Sequence, residues 1–489
     1  MRFPMSREST DTDRRAGSGN MLSRLLLGTT ADTLPEGTGP GTLYKKMISV
    51  AWPAALEGML VSLMNSFDTM MVGTISPTAI AAVGLCAQPR MILLLIVQAV
   101  CIGTTAIIAR RKGEERQDSA VSCMKQSLAI VTVIGILITT LALLFAEPFL
   151  MVAGAEPGDT LPDASLYFRI ISVAFIANCW SLCICAAQRG IGKTRITMVT
   201  NMIANIVNVF LNWCLIGGNL GFPALGIKGA AIATAIGTCV SSVIAIAVVL
   251  KPGNYLSLPR TGGLHFDAET VRSLVKVGGS SIAEMAFLRV GFLISGRLVV
   301  GVSTKAYVST QIVQQISGLS FTLGDGVGSA STALVGRSLG AGQKECAKAY
   351  VRVAQRVSLI MSAFLILIML LFRWEIPKLF TDDEEIRAAA SLCFLVLMIA
   401  MVPQNLRAVF SGCLRGAGDV RYVAIVSLFS VAFIRPLLTW FFCYPMNAWF
   451  PAMEFGVLGN WISFTVESLI RAALLTRRAY RGKWVNIKI

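Results

Sequence analysis

Long apolar stretches separated by short polar breaks fill the chain from residue 45 onward. Two of them are MILLLIVQAVCIGTTAIIA, residues 91–109, and VSLIMSAFLILIMLLF, residues 357–372. Runs of about 17 to 25 apolar residues match the thickness of a bilayer core and are too long and uncharged for surface helices. The pattern therefore predicts twelve membrane-spanning helices, with approximate ranges 45–74, 79–110, 118–146, 164–188, 195–216, 227–250, 272–301, 306–336, 347–372, 386–414, 421–444 and 455–477.

The segments that connect these predicted helices alternate in charge along the chain. One set is rich in Lys and Arg and contains ARRKGEER, QRGIGKTR, RSLGAGQKE, LRGAGDVR and the stretch between the sixth and seventh helices. The other set carries only three basic residues, Lys305, Arg373 and Lys378. Because basic loops are retained in the cytoplasm, the first set and both termini are predicted to be cytoplasmic. The sequence thus predicts a multi-pass protein of the plasma or inner membrane.

The composition agrees with a membrane protein, since 55% of the residues are hydrophobic and 14% are charged, against about 25% charged in soluble domains. The net charge of +16 is explained by the basic loops, so no nucleic-acid partner is predicted. One histidine, His265, and twelve cysteines without paired spacing give no usual zinc ligand set, and no cofactor is predicted. Residues 1–43 are polar and lack a long apolar core, which predicts a disordered cytoplasmic tail rather than a signal peptide.

Short motifs recur along the chain at nearly constant spacing. QRGIGKTR at positions 188–195 returns as LRGAGDVR at 414–421, and TAIIARRKG at 105–113 returns as TALVGRSLG at 332–340. At the spacing of that second pair Glu57 falls on Glu284, and LGIKG at 225–229 faces FGVLG at 455–459 with nearly the same spacing. Each match is weak alone, but their common order indicates an internal duplication.

The duplication predicts two six-helix lobes, residues 44–251 and 272–479, joined by a cytoplasmic linker, 252–271, and followed by a cytoplasmic tail, 480–489. Because six is an even number, both lobes keep the same orientation and are related by a parallel repeat about an axis along the membrane normal. The predicted fold class is an all-α integral membrane protein of twelve transmembrane helices. A central cavity between two such lobes suits alternating access.

The segment GIGKT, Gly190 to Thr194, is similar to the end of a phosphate-binding loop. That loop requires a glycine five positions before the one that precedes Lys, and five positions before Gly192 stands Ala187. The repeat copy RGAGDVR keeps the arginines and glycines but has neither the Lys nor the Thr. We therefore predict no nucleotide site and interpret the shared R-G-x-G-x-x-R as a tight cytoplasmic turn.

Several segments together resemble the MATE (multidrug and toxic compound extrusion) family. In AWPAALEGMLVSLMNSFDTMMVG, residues 51–73, a proline is followed fifteen residues later by Asp and then by a glycine. LRGAGD follows the tenth helix, and NVFLNWCLIGG and LGIKGAAIAT are similar to the family's fifth and sixth helices. The resemblance covers the chain after the tail. It implies a twelve-helix, two-lobed secondary transporter, expected to be a monomer, that exports organic cations and other amphipathic small molecules in exchange for H+ or Na+.

Ionisable and amide side chains inside the predicted spans of the first lobe are the candidate ion-coupling residues, since such groups are costly in a membrane. The resemblance makes Asp68 the coupling acid, and a carboxylate in an apolar bundle can hold a proton or Na+. Asn208 and Asn212 lie four apart on one face of the fifth helix. One branch of the family has Asp at the second of these positions. Asn212 cannot titrate, which weakens a two-acid proton model but leaves amide oxygens for Na+.

Two further residues of the first helix belong to this candidate set. Glu57 is an additional acid, and either the cavity or the packing between helices is its predicted environment. Pro53 is predicted to be a hinge, because a proline removes a backbone hydrogen bond; the alternative is that it marks the helix start. For Asp68 the alternative to ion coupling is a structural hydrogen bond.

In the second lobe the candidates are Glu284, Asp325, Gln404 and Arg407. In other family members, acids in the seventh and tenth helices have cation roles. The tenth-helix position corresponds to Gln404 here, and the seventh-helix position to an apolar residue. The resemblance therefore predicts that this cation site is absent or rebuilt around Glu284, with Arg289 or Arg407 as its partner in a structural or a transport role. Asp325 lies in a Gly-rich part of the eighth helix, where glycines allow close packing and bending.

Two alternatives to antiport differ in how far the sequence supports them. A flippase for lipid-linked saccharides is the alternative within the same superfamily, because Arg289, Arg297 and Arg407 are compatible with a cationic cavity. A membrane-embedded enzyme is not supported, because the sequence has no HExxH motif, nucleophile elbow or clustered acidic motif.

Overall fold

The computed structural model describes residues 39–156, 160–260, 262–263, 266–302, 304–381, 383–449 and 455–487. Within these ranges the chain is almost entirely helical and contains no strand. Twelve long helical segments follow one another in the described chain, and we number them α1 to α12. Their bounds are α1 Pro40–Gly73, α2 Pro77–Gly113, α3 Gln117–Leu144, α4 Leu161–Val173 with Phe175–Gly190, α5 Thr194–Gly217, α6 Gly226–Leu250, α7 Ala268–Val300, α8 Thr304–Gly340, α9 Lys344–Phe372, α10 Glu384–Ala417, α11 Val420–Trp449 and α12 Phe455–Tyr480.

Most of these segments are apolar enough to cross a bilayer. By length and composition, eight described helices qualify, and the bent α4 makes a ninth. The helices α7, α8 and α12 are of spanning length but carry more polar and charged residues. Several of those side chains face protein, since Glu284 on α7 and Glu467 and Arg471 on α12 are almost fully buried. Charged groups that face the bundle interior are compatible with a membrane span, so the predicted twelve-helix membrane fold is confirmed.

Two spans depart from a straight α-helix. The two parts of α4 meet at an angle of 50°, and α11 contains the π-helical segments Leu428–Ile434 and Phe442–Met446. Pro53 lies inside α1, well after its first residue, and therefore does not mark the helix start. Its ring removes one backbone hydrogen bond from the helix interior, and the hinge role stays a prediction.

The helices form an N-lobe, α1–α6, and a C-lobe, α7–α12. In the N-lobe α5 packs on α1 and α6 while α2 packs on α3 and α4, and in the C-lobe α10 packs on α8, α9 and α12. Between the lobes, α1 and α2 pack on α8, and α2 also packs on α7. The lobe interface is thus built mainly from α1, α2, α7 and α8.

Both described ends of the chain lie at the same end of the bundle, which we call the terminal side. Leu43 and Met47 at the start of α1 belong to one core cluster with Trp484, which follows α12. The two lobes meet closely on this side, because small residues let backbones approach. A Cβ atom on Gly113 of α2 would overlap the carbonyl of Arg337 on α8.

The repeated R-G-x-G segments form the same turn in both lobes. Gly192 and Gly418, the second glycines, have φ values of +80° and +87°, in the left-handed region that favours glycine. The first glycines let α4 and α10 approach α2 and α8: a Cβ on Gly190 would come within 2.8 Å of the Thr105 carbonyl oxygen. The interpretation of the motif as a tight turn is confirmed, and its two glycines have separate functions in the fold.

The helices at the predicted lobe boundaries begin earlier than the pattern indicated. The first helix starts at Pro40, so residues 40–43 of the predicted tail are helical, and α7 starts at Ala268, within the predicted linker. The linker is packed rather than extended into solvent, since Leu256 lies in a core cluster with residues of α2, α3 and α6. Residues 1–38 of the predicted tail and His265 lie outside the described residues.

The segment after α12, predicted as a tail, packs on both lobes. Residues Lys483–Asn486 form a short helical turn, and Trp484 is 1% exposed. The indole of Trp484 donates a hydrogen bond to the Ala479 carbonyl at 2.6 Å. Arg110 of the N-lobe donates to the Ile487 carbonyl at 2.9 Å. The segment therefore ties the C-lobe to α2 on the terminal side.

Replacing Trp484 by alanine is expected to lower the free energy of unfolding by about 3 to 5 kcal/mol, the range for deleting a buried aromatic side chain. Equilibrium unfolding of the purified protein in detergent measures it. The matched control is Trp440→Ala, because Trp440 is 50% exposed on α11 and its loss removes little packing. Equal losses for the two variants would show that the C-terminal segment does not pack as described.

Candidate functional site

The N-lobe places a carboxylate between two amides. Asp68 lies on α1 near its C-terminal end, and Asn212 of α5 donates to its Oδ1 at 2.7 Å. With the Asn208 amide oriented so that its oxygen accepts from the Thr234 backbone N–H at 3.2 Å, its nitrogen donates to Asp68 Oδ1 at 2.8 Å. The predicted shared face of Asn208 and Asn212 thus meets Asp68, and the structure brings these three candidates together.

The same site contains an acceptor without a donor. Asn212 is 1% exposed, and its Oδ1 has no hydrogen-bond partner among the described residues. Hard cations bind carboxylate and amide oxygens, so Asp68 and this oxygen fit either Na+ at the site or a proton on the carboxylate. A cavity lined by Arg90, Phe168, Asn178, Thr234 and Thr238, among others, adjoins the site through Thr234. Arg90 is also an electrostatic neighbour of Asp68.

Glu57 occupies a separate position in the N-lobe, nearer the terminal side. Arg189, from the R-G-x-G segment, donates to its Oε1 at 3.1 Å, and Asn201 donates to the same oxygen at 2.6 Å. Thr197 donates to Oε2 at 2.6 Å. Glu57 is 8% exposed, so it is a buried acceptor joining α1, α4 and α5. These hydrogen bonds do not include Asp68 or its two amide partners.

The C-lobe repeats this arrangement. Arg415, the repeat mate of Arg189, donates to Oε2 of Glu284 at 2.8 Å, and Ser427 donates to Oε1 at 3.3 Å. Glu284 is 3% exposed and joins α7, α10 and α11. Neither Arg289 nor Arg407 is its partner, and the prediction that one of them pairs with Glu284 is wrong. The partner is Arg415 instead, because it lies in the last turn of α10, directly before α11, and α11 packs on α7.

The remaining C-lobe candidates lie apart from Glu284 and from one another. Gln404 is buried between α10 and α8, where its Nε2 donates to the Ser317 carbonyl at 3.1 Å. The guanidinium of Arg407 lies 5.4 Å from the ring centroid of Phe321. Among the described residues, the C-lobe candidates therefore form no second acid–amide site.

Asp325 lies at the interface of the two lobes. Its side chain is accessible, yet its strongest electrostatic neighbours are Arg415, Arg189 and Arg407. Asp325 is therefore an accessible residue between the lobes, near both R-G-x-G arginines, and we call this region the inter-lobe space. Each of those arginines is about one fifth to one quarter exposed, so both border the same space.

Sequence reasoning missed both ion-pair arginines and Arg90. The spacing between Arg189 and Arg415, almost equal to that between Glu57 and Glu284, was a usable signal. When an acid and an arginine recur together at nearly the same spacing, they indicate the same ion pair in each lobe. Arg90 had no such signal, because it lies on α2 and only the packing of α2 beside α1 brings it near Asp68.

Two homologous lobes of membrane-spanning helices, accessible charged side chains between them and buried ionisable side chains within them define a polytopic membrane transporter. The model of the MatE family matches residues 53–214 and 280–441. The two matches are offset by the same spacing as Glu57 and Glu284, which agrees with the repeat. The chain belongs to the MatE family, whose members are transporters and not enzymes.

Relatives of similar length share about a quarter of their residues with the chain. The probable multidrug resistance protein NorM of Thermotoga maritima is 26% identical, with 92% of this chain and 95% of the relative covered. The multidrug resistance protein MdtK of Edwardsiella ictaluri is 25% identical, at 90% and 95% coverage. The uncharacterized transporter YisQ of Bacillus subtilis is also 25% identical, with the same two coverages.

Solved structures confirm the fold. A multidrug resistance MATE family transporter of the MOP superfamily in an outward-facing conformation has a TM-score of 0.82 at 20% identity, with 90% of this chain and 97% of that one covered. A MOP superfamily transporter from Pyrococcus furiosus, described as having a binding pocket of reverse polarity, has a TM-score of 0.82 at 19% identity, with 91% and 97% covered. At these identities the likeness concerns the fold alone.

Proposed function

We propose that the protein exports organic cations and related amphipathic drugs or metabolites in exchange for H+ or Na+. The observation that carries the proposal is Asp68, a carboxylate held by two amides beside an unpartnered amide oxygen inside an apolar helix bundle. Such groups are costly in a membrane and mark ion pathways. The relatives named as multidrug resistance proteins support the cargo class.

In the proposed mechanism, ion and cargo compete through the state of Asp68. With a proton or Na+ bound, the carboxylate is neutralised and its amide partners need not compensate a buried charge. When the ion leaves, the charged carboxylate favours a cationic cargo in the space between the lobes. A ligand shifts a conformational equilibrium only by its differential affinity for the two states, so exchange requires that both ligands act on this one group.

Close packing on the terminal side supports an arrangement in which the lobes are closed there. We place the terminal side in the cytoplasm of a plasma-membrane or inner-membrane protein, in agreement with the basic loops, and propose that a single chain is the transporting unit. In this orientation the space between the two lobes opens to the outside of the cell. The cycle then requires α2 and α8 to separate on the cytoplasmic side.

The flippase alternative is not favoured. Of the arginines compatible with it, Arg407 is 8% exposed and stacks on Phe321 inside the C-lobe rather than lining a broad cationic cavity. The R-G-x-G arginines that do reach the inter-lobe space are each paired with a glutamate. Their charge is therefore largely neutralised.

Transport by purified protein in liposomes tests the proposal. A fluorescent organic cation is loaded, and an outward or inward gradient of Na+ or H+ is imposed separately. We expect flux of the cation against its own gradient with one of the two ions and no flux with ATP alone. Flux that follows only the cargo gradient, whichever ion is imposed, would contradict the antiport mechanism.

The variant Gly340→Val is expected to separate the lobes on the terminal side, because a side chain there would overlap the Arg110 carbonyl of α2. Spin labels on Arg116→Cys and Lys344→Cys, with exposed Cys239 replaced by serine, report the distance between the lobes. The distance should increase by several ångströms. The control is Gly279→Val, since a Cβ on Gly279 meets nothing within 4 Å; the same increase in both variants would contradict the role of the glycine contact.

A further inference from the structure

A cluster of charged side chains lies inside the C-lobe, apart from the Glu284–Arg415 pair. Arg407 of α10, Arg435 of α11, and Arg471 and Glu467 of α12 are between 1% and 8% exposed. Each arginine is an electrostatic neighbour of the others or of Glu467. The cluster therefore gathers three cations around one anion, in a lobe whose surface is apolar.

These groups do not satisfy one another. Among the described residues, Nε of Arg407, Nε of Arg435, Nε and Nη1 of Arg471, and Oε1 of Glu467 have no hydrogen-bond partner. Arg471 Nε lies 3.7 Å from Glu467 Oε1, which is too far for a hydrogen bond. A buried charge that is neither paired nor hydrogen-bonded costs several kcal/mol, and several such donors in one place indicate a ligand that accepts hydrogen bonds.

Aromatic rings hold two of the guanidinium groups in place. Arg435 lies 4.2 Å from the ring centroid of Phe292 on α7 and 4.9 Å from that of Phe464 on α12. Arg407 is positioned in the same way against Phe321 of α8. These contacts stabilise the flat faces of the guanidinium groups but leave their N–H groups available in the ring plane, where an anion binds.

The N-lobe carries serine at the positions equivalent to two of these arginines. The spacing between Arg189 and Arg415 places Ser181 at the position of Arg407, and the spacing between LGIKG and FGVLG places Ser241 at that of Arg471. The two serine hydroxyls are 2.6 Å apart and form a hydrogen bond, which supports the assignment of equivalent positions. Where the N-lobe has a hydrogen bond between two serines, the C-lobe has the two arginines Arg407 and Arg471.

The asymmetry also holds in the other direction. The spacing between Glu57 and Glu284 places Ser295 at the C-lobe position equivalent to Asp68. The N-lobe therefore carries the acid site and the C-lobe the basic cluster, each replaced by neutral residues in the opposite lobe. This division is not expected of residues that serve only the common fold, because the fold is the same in both lobes.

We propose that the C-lobe cluster is a binding site for a monovalent anion, either chloride or the carboxylate group of a transported molecule. One bound anion and Glu467 would bring the three arginines close to neutrality. Phe321 is 40% exposed and lies one helical turn from Asp325, so the anion enters from the inter-lobe space past this ring to Arg407. The proposal goes beyond ion coupling at Asp68 and does not depend on it.

Thermal unfolding of the full-length protein in detergent tests the site. Sodium chloride, or sodium benzoate as the carboxylate probe, replaces sodium isethionate stepwise at constant Na+ and ionic strength, so that cation sites see no change. A ligand that binds only the folded state raises the unfolding temperature saturably. Saturation by chloride without competition from benzoate identifies the inorganic ion, and stabilisation by benzoate that competes with chloride identifies a cargo carboxylate.

Two substitutions with opposite expected effects separate anion binding from structural damage. Arg471→Gln removes one cation and should raise the half-saturating anion concentration by at least tenfold. Glu467→Gln removes the acid of the cluster and should lower that concentration, even if the variant is less stable. The matched control is Arg297→Gln, an exposed arginine of α7, which should respond as the wild type does.

Identical unfolding temperatures in chloride, benzoate and isethionate at every concentration would overturn the proposal. So would an anion response that Arg471→Gln and Glu467→Gln leave unchanged. Because all measurements are made at constant Na+ and without a gradient, failure of antiport in liposomes would leave these results unaffected. The two proposals therefore fail independently.

Discussion

Replacing Asp68 by asparagine is expected to reduce ion-driven export by about 100-fold while leaving the protein folded. Asparagine keeps the size of the side chain and part of the hydrogen bonding to Asn208 and Asn212, but it cannot carry the charge that alternates between ion and cargo. A coupling free energy between two ligands is typically about 1 to 3 kcal/mol, and its loss removes the response to the gradient. Liposome flux with an imposed Na+ or H+ gradient measures the effect.

The matched control for this substitution is Asp118→Asn. Asp118 lies at the start of α3, is 71% exposed and pairs with Arg260 at 2.8 Å, and an exposed pair of this kind contributes little. Export by this variant should equal that of the wild type. If Asp68→Asn also keeps its full gradient-driven flux, Asp68 is a structural hydrogen-bonding residue and the coupling group lies elsewhere.

A further distinction comes from Asn212. Its replacement by alanine keeps the Asp68 carboxylate but removes both the unpartnered oxygen and the hydrogen bond that Asn212 donates to Asp68. An Na+-coupled protein should therefore lose affinity for Na+, whereas a proton-coupled one should change the pH dependence of its flux and show no Na+ dependence. The Na+ dependence of liposome flux separates the two cases. Flux that is driven by Na+ in both proteins with the same half-saturating concentration would exclude Asn212 as an Na+ ligand.

The helices and the N-lobe site were predictable because their signals are local. Each span is a run of apolar residues, and its ends fall at polar breaks, so the predicted and observed bounds differ by only a few residues. Asn208 and Asn212 share a helix face by their spacing alone. That Asp68 meets them depended on the family resemblance, since no local rule joins α1 to α5.

The charged contacts of the C-lobe were not predictable in the same way. Arg415 lies next to a turn, where a basic residue is ordinarily interpreted as a cytoplasmic loop charge. It meets Glu284 because α11, which follows this turn, packs on α7. Arg435 is a single charge in an apolar run, and Arg471 shares its run only with Glu467, one helical turn earlier. Their cluster exists because α10, α11 and α12 converge, which a sequence without its partners does not encode locally.

Replacing Glu284 by glutamine is expected to lower the free energy of unfolding by about 3 to 5 kcal/mol, the range for breaking one side of a buried ion pair. The loss arises because Arg415 would keep its charge among buried groups without its partner. The double variant Glu284→Gln with Arg415→Gln should be more stable than Glu284→Gln alone, since it removes the uncompensated charge. Equilibrium unfolding in detergent measures all three proteins.

The exposed pair Glu147–Arg169 is the matched control, with N–O distance 3.0 Å and side chains about half exposed. Glu147→Gln should lower the free energy of unfolding by less than about 1 kcal/mol. The N-lobe equivalent, Glu57→Gln, should cost as much as Glu284→Gln, because Glu57 accepts from Arg189 and two further side chains. If Glu284→Gln lowers the free energy of unfolding no more than Glu147→Gln does, the repeated glutamates do not stabilise the helix packing within each lobe. The presence of the same glutamate in both lobes would then require a role in transport. That role would act through Arg189 and Arg415, which pair with the glutamates and are neighbours of Asp325.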